Sequence, residues 1–308
     1  MTEALRSSLS IACVLAVGGC GAAKQIRTDI DLSDPADQPP AMGRDIAHFQ
    51  VIDGPLFRDG RPLPGDVVQT HAGDCYFLAA LAQLAGDHPE IIESAIQDRG
   101  DGTFIVRFFD APVKGRRTPE ERRVVEVRID RQLPTDARGQ LLYARRADHG
   151  GALWPLLLEK AFAKAKGGYD AIGAGGNAAN AVFSLTGWPV RYFPFRGRDA
   201  RNGFDATRVA EAILPWLKEG DCILANTPQD TGFRGIAGHH VYSVVGSVLR
   251  PEGRFIVLRN PWGRVTKGGS RDSDGVFALS VPELGRLFRG VAVGGPTLDV
   301  ERWRQALH

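Results

Sequence analysis

At 308 residues, with 38 Lys and Arg set against 36 Asp and Glu and 43% hydrophobic residues, the chain can build one large domain or two lobes sharing a cleft. This composition excludes a wholly disordered chain. The formal net charge is only +2, and the basic run of Arg116, Arg117, Arg122 and Arg123 is interleaved with Glu120 and Glu121, so no nucleic-acid surface is expected.

The chain opens on a short apolar run, 10–17, preceded by Arg6 and followed by small residues, which reads as a signal peptide over 1–19. Val17-Gly18-Gly19-Cys20 resembles a bacterial lipobox. The expectation is a lipid anchor at Cys20 and a place in the bacterial cell envelope; without that signal the chain is expected in the cytoplasm. Residues 20–48, rich in Asp and Pro, read as a disordered linker. The folded body divides into a Cys-containing lobe, 49–190, and a His- and Asn-containing lobe, 191–303. Four cysteines are too few for a disulfide scaffold at this length, and no spacing argument pairs Cys75 with Cys222.

Within the body, periodicity predicts helices over 75–84 and 89–96, strands over 104–109 and 124–129, and helices over 154–166 and 177–185. A further helix over 205–218 has Asp205 or Thr207 as N-cap and Gly220 as its stop. Strands follow over 222–225, 241–248, 255–258 and 276–279, then a last short helix over 282–288. A helical first half and a β-rich second half make an α+β fold with a cleft between the halves.

Two segments carry chemistry. In Gln69-Thr70-His71-Ala72-Gly73-Asp74-Cys75-Tyr76 a Gly-containing turn precedes a Cys that opens an apolar helix. There the helix dipole and free backbone N–H groups favour the nucleophilic thiolate. The amide of Gln69 can fold back beside the thiol and, with a backbone N–H at Cys75, donate to an oxyanion. The second segment is Gly238-His239-His240-Val241-Tyr242-Ser243-Val244, followed after a turn by Arg259-Asn260-Pro261-Trp262-Gly263. A three-residue loop at 251–253 puts His240 and Asn260 on one face and turns His239 away; regular pairing leaves the two offset, so a bulge or wider loop is needed. An Asn oxygen accepting from one ring nitrogen leaves the other for the thiol. His240 is also readable as a satisfied strand histidine, and Asn-Pro-Trp-Gly as an ordinary turn.

Together these segments resemble the protease core of the calpain family. Leu153-Trp154-Pro155-Leu156-Leu157-Leu158-Glu159-Lys160-Ala161-Phe162, Gly168-Tyr169, Leu185-Thr186-Gly187 and Asp274-Gly275-Val276-Phe277 agree in the same order. The resemblance implies a papain-like fold and a cysteine endopeptidase acting on protein or peptide substrates in extended conformation. It implies Cys75 as nucleophile, His240 as general base and acid, Asn260 as its orienting partner, Gln69 at the oxyanion and Trp262 as the active-site aromatic. Tyr76 stands where the family has Trp. A first-lobe calcium site is matched by Asp66 and Asp170, whereas Arg264, Val265, Thr266 and Val276 replace second-lobe acidic positions and leave Asp274. Calcium is therefore expected in the first lobe only, with no organic cofactor. The alternative is a catalytically weak or inactive peptide-binding module on the same fold.

Overall fold

The computed structural model describes residues 24–25, 43, 45–70, 72–110, 122–145, 151–196, 203–233, 235–265 and 274–296. The signal peptide, Cys20, most of the 20–48 linker, and His71 lie outside the described residues. In chain order the first elements are β1 (Lys24–Gln25), β2 (His48–Val51), β3 (Val68–Gln69), α1 (Cys75–Asp87), α2 (Pro89–Ala95), β4 (Ile96–Asp98), β5 (Thr103–Asp110), β6 (Arg123–Asp130), β7 (Gln132–Thr135) and β8 (Ala144–Arg145). There follow α3 (Trp154–Lys166), α4 (Tyr169–Gly173), α5 (Ala178–Thr186), β9 (Val190–Pro194), α6 (Ala206–Lys218), β10 (Cys222–Asn226), β11 (Val241–Arg250), β12 (Gly253–Arg259), β13 (Val276–Ser280), α7 (Val281–Leu287) and β14 (Gly290–Gly294).

The placement of α1 follows from its sequence. Cys75 through Ala85 are all buried, an apolar surface on every side, and such a helix is stable only inside a core. Phe77 and Leu78 pack with Phe108 of β5, Leu157 and Phe162 of α3, and Val182 of α5 in the first hydrophobic cluster. That cluster also takes in Cys222, Leu224, Val241 and Ala292, so α1 lies against one face of the second sheet. Its strands run in the order β13-β12-β11-β10-β14-β9 with every neighbour antiparallel. The other face carries a separate cluster with Trp216 of α6 and Leu284 of α7. Covered on both faces, β10 and β14 are buried at every residue and do not alternate.

The principal helices and strands fall within a few residues of their predicted spans. The short pieces were not predicted: β2 with β7, β3 with β8, β4, α4, β9 and β14 are too brief or too uniformly apolar to show a period. β1, which pairs in parallel with β6, falls inside the segment read as linker. The β11–β12 hairpin also differs from expectation. Arg250 faces Gly253, so the loop has two residues, and by itself that register would put 240 and 260 on opposite faces. The extra residue sits instead in a bulge at Val245, beyond which Ser243 faces Arg259 and the parity is restored.

Of the two N-cap candidates for α6, Asp205 does the capping: its Oδ1 accepts from the N–H groups of Thr207 (3.0 Å) and Arg208 (3.1 Å). Asp205→Ala is expected to cost about 1 kcal/mol, read as a lowered urea midpoint with an unchanged slope.

Candidate active site

Two side-chain bonds to backbone dock α1 on β11. Ser243 Oγ donates to the carbonyl of Ala79 at 2.7 Å, and Gln83 Nε2 donates to the carbonyl of Val244 at 2.9 Å; all these groups are buried. The first turn of α1 is thereby held at the start of β11, and one cleft is lined by Gly73, Cys75, Tyr76, Gly173 to Gly176, Asn226, Thr227, His239, His240, Val241 and Arg289. Sequence reasoning missed Gln83 and Ser243 as site-forming residues. Gln83, the one polar residue from Cys75 to Ala85, was the available signal.

His240 Nε2 lies 2.9 Å from Asn260 Oδ1. The amide's orientation is fixed independently, because Oδ1 also accepts the Trp262 N–H at 3.1 Å while Nδ2 donates to the Val265 carbonyl at 3.3 Å. Nε2 must therefore be the donor, and Nδ1 keeps its lone pair. Trp262 covers the imidazole with ring centroids 4.6 Å apart, and Tyr242 meets it edge-on at 4.9 Å. His239 also lines the cleft, contrary to the strand alternation expected of it, because its φ of 49° reverses the chain there; it is exposed, whereas His240 is buried.

Electrostatically the site departs from the expectation of a thiolate favoured by the helix terminus. Burial pushes the Cys75 thiol up to about 12, the neighbouring Asp74 adding to the rise, and this outweighs the N–H groups of Val241, Tyr76 and Cys75. Burial likewise pushes His240 down to about 4 against the raising effect of Asn260. Both shifts have one cause, desolvation, which disfavours thiolate and imidazolium alike.

Gln69 sits on β3, tied to the Asn260 segment by its own N–H donating to the Pro261 carbonyl at 2.8 Å. Nearby, Arg259 Nη2 donates to the Val67 carbonyl at 2.9 Å, a second staple between the same two segments. The Gln69 amide nitrogen donates to the Ala72 carbonyl (2.6 Å) and to Asp74 Oδ1 (3.2 Å). Behind Asp74 lies Glu159 of α3, also buried, accepting the Ala144 N–H at 2.9 and 3.1 Å. The sequence carried a signal for Glu159, a charged residue in the apolar face of a helix.

The two residues matched to calcium fall in different surroundings. Asp66 is buried, its Oδ2 accepting from the Leu63 N–H (3.1 Å) and the Trp154 indole (2.9 Å), with the Arg259 guanidinium close enough to feel its charge. Asp170, on α4, acts on Tyr143 together with Asp45. Calcium takes six to eight oxygen ligands. Among the described residues no group of three or more His, Cys, Asp or Glu stands together. Asp66 Oδ2 is taken up by N–H donors with a cation nearby, while its buried Oδ1 has no hydrogen-bond partner and is the oxygen that would face an ion; no step below is routed through a metal ion.

Among the described residues no helix is long and apolar enough to cross a membrane. Cys75 and Cys222 are free thiols.

A family model described as Calpain family cysteine protease matches residues 48–276. Calpain-9 of Rattus norvegicus is 30% identical over 251 residues, 77% of this chain and 34% of that protein. The calpain-type cysteine protease DEK1 of Arabidopsis thaliana is 31% identical over 217 residues, 68% and 9% of the two chains. The Calpain-2 catalytic subunit of Bos taurus is 29% identical over 232 residues, 70% and 30%. The chain thus spans about a third or less of the length of these relatives. The match agrees with the α+β architecture and the papain-like fold expected from the motifs, and on it the chain belongs to the calpain family of cysteine proteases.

Proposed function

We propose that the chain is an endopeptidase that cleaves protein substrates through an acyl-enzyme on Cys75. The observation that carries this reading is a buried imidazole, held by Asn260 in the tautomer that leaves Nδ1 basic, in the same cleft as a thiol at the start of a helix. As Cys75 Sγ attacks the peptide carbonyl, its proton passes to His240 Nδ1 and the carbonyl π electrons move onto oxygen. Asn260 steadies the imidazolium so formed. The oxyanion takes the Cys75 N–H and one amide proton of Gln69, which turns from the Ala72 carbonyl while keeping its other proton on Asp74. The C–N bond then breaks, the amine leaves with the proton from His240, and water activated by the same imidazole hydrolyses the thioester.

Gly173 to Gly176 along one side of the cleft offer backbone without bulky side chains, which suits an extended segment recognised mainly through its main chain. The test is incubation of the full chain with unfolded casein, with added calcium and with a chelator, beside mass analysis after treatment with a thiol-reactive peptide inhibitor. The expected result is cleavage and one adduct on Cys75; a rate that falls in chelator assigns an ion to Asp66 and Asp170, and equal rates in the two buffers reject one. Neither cleavage nor adduct from the folded protein rejects the protease reading. An adduct without cleavage of casein or of a peptide library favours the peptide-binding module.

A further inference from the structure

Two buried carboxyl side chains are brought together in the core behind the nucleophile, because Gln69 and Ala144 face each other across β3 and β8 and bond Asp74 and Glu159 respectively. Asp74, the residue before Cys75 and N-cap of α1, is 0% exposed, and Glu159 is 2% exposed. Asp74 Oδ1 accepts from Gln69 Nε2, and its carbonyl accepts the N–H groups of Phe77 (2.9 Å) and Leu78 (3.1 Å) in the first turn of α1. Glu159 is anchored from the other side by the Ala144 N–H. Two carboxyl groups bond to one another only when one of them carries a proton.

We propose that Glu159 is a positioning residue for the Cys75 site: it keeps its proton, donates it to the carboxylate of Asp74, and so fixes the amide of Gln69 and the first turn of α1. This rests on the protease reading above. Burial raises both carboxyl groups, and the charge on Asp74 raises Glu159 further, so one shared proton is retained. The titratable groups around the pair are Cys75 and Tyr76 on α1, Tyr143 before β8, and Tyr169 on α4. None of these is cationic at neutral pH, so none replaces the proton as a counter-charge. Because both folded-state pKa values are raised, the one-proton arrangement is lost on the acid side as Asp74 also takes a proton, and on the alkaline side as pH rises through the raised value of Glu159. Two facing carboxylates then repel, and the Gln69 amide and the α1 terminus shift.

The experiment compares wild type, Glu159→Gln and Glu159→Ala in the full chain. In Glu159→Ala, kcat is expected to fall roughly 10- to 100-fold with KM within about twofold, since the loss is of geometry and not of substrate contact. Glu159→Gln can donate to Asp74 and accept from Ala144, so it restores most of the rate and, having no proton to lose, holds its activity further into alkaline pH than wild type. Identical alkaline limbs for wild type and Glu159→Gln overturn the proposal, and this comparison stands even if Glu159→Ala does not fold. An infrared carboxylic-acid C=O band in wild type at neutral pH, missing from Glu159→Gln, is the second readout. Its absence from wild type also overturns the proposal. Because that band does not depend on turnover, failure of the pair is distinguishable from failure of the protease reading, which shows as wild type that neither cleaves nor takes the adduct.

Discussion

Cys75→Ala is expected to reduce casein hydrolysis by on the order of 10⁴- to 10⁶-fold, to the background of the assay, because no other group supplies the covalent step. The variant isolates the chemistry better than changes at His240 or Asn260 do. Removing either partner of the His240–Asn260 bond strands a buried polar group and adds a folding cost of about 1–3 kcal/mol. Cys75 is 7% exposed, and its small thiol meets backbone N–H groups, of Val241 and Tyr76, only as a weak acceptor, so unfolding of Cys75→Ala should stay within about 1 kcal/mol of wild type. The measurements are casein turnover and a thermal melt on the same preparation. A loss of turnover with an unchanged melt assigns the effect to the nucleophile; retained turnover rejects Cys75 in that role.

The largest stability effect is expected at Phe162. Its ring stacks on Phe77 with centroids 4.0 Å apart and planes 6° apart, meets Phe108 at 5.7 Å and Tyr76 at 6.3 Å, and is 3% exposed. This cluster is where α3 and β5 grip the first turn of α1. Phe162→Ala removes a large ring packed against three other aromatic rings and should cost about 3–5 kcal/mol, a large part of the total stability of a domain. Urea unfolding followed by fluorescence checks the figure. Because Phe77 and Tyr76 lie within two residues of Cys75, the variant should also lose activity at temperatures below its own melt. A cost under about 1 kcal/mol would mean the α3–α1 contact is not what holds the nucleophile in place.

Much of this molecule was legible along the chain. The all-apolar character of 76–82, the Pro155 start and Gly167 stop of α3, and the Asp205 cap are local signals, and the elements they mark fall within a few residues of expectation. So is the identity of the cleft residues, because a Cys at a helix start and a His followed by a strand are chemistries tied to short segments. The short pairings at β3–β8 and β2–β7 were not legible, since two- to four-residue strands are specified by partners distant in sequence and not by a period of their own.

Propensity, capping and motif spacing act within a few residues, so the principal helices and strands, and the short segments that carry the thiol, imidazole and amide, could be read along the chain. Contacts between remote segments set the rest: a bulge at Val245 brings His240 and Asn260 to one side, and Ser243 and Ala79, 164 residues apart, dock the helix on the strand. The same packing buries the Cys75 thiol deeply enough to raise it against the helix terminus, and brings Asp74 up to Glu159 in the core. These outcomes depend on desolvation and on the approach of groups from remote segments, both sums over the whole packed core, which no local window of residues contains.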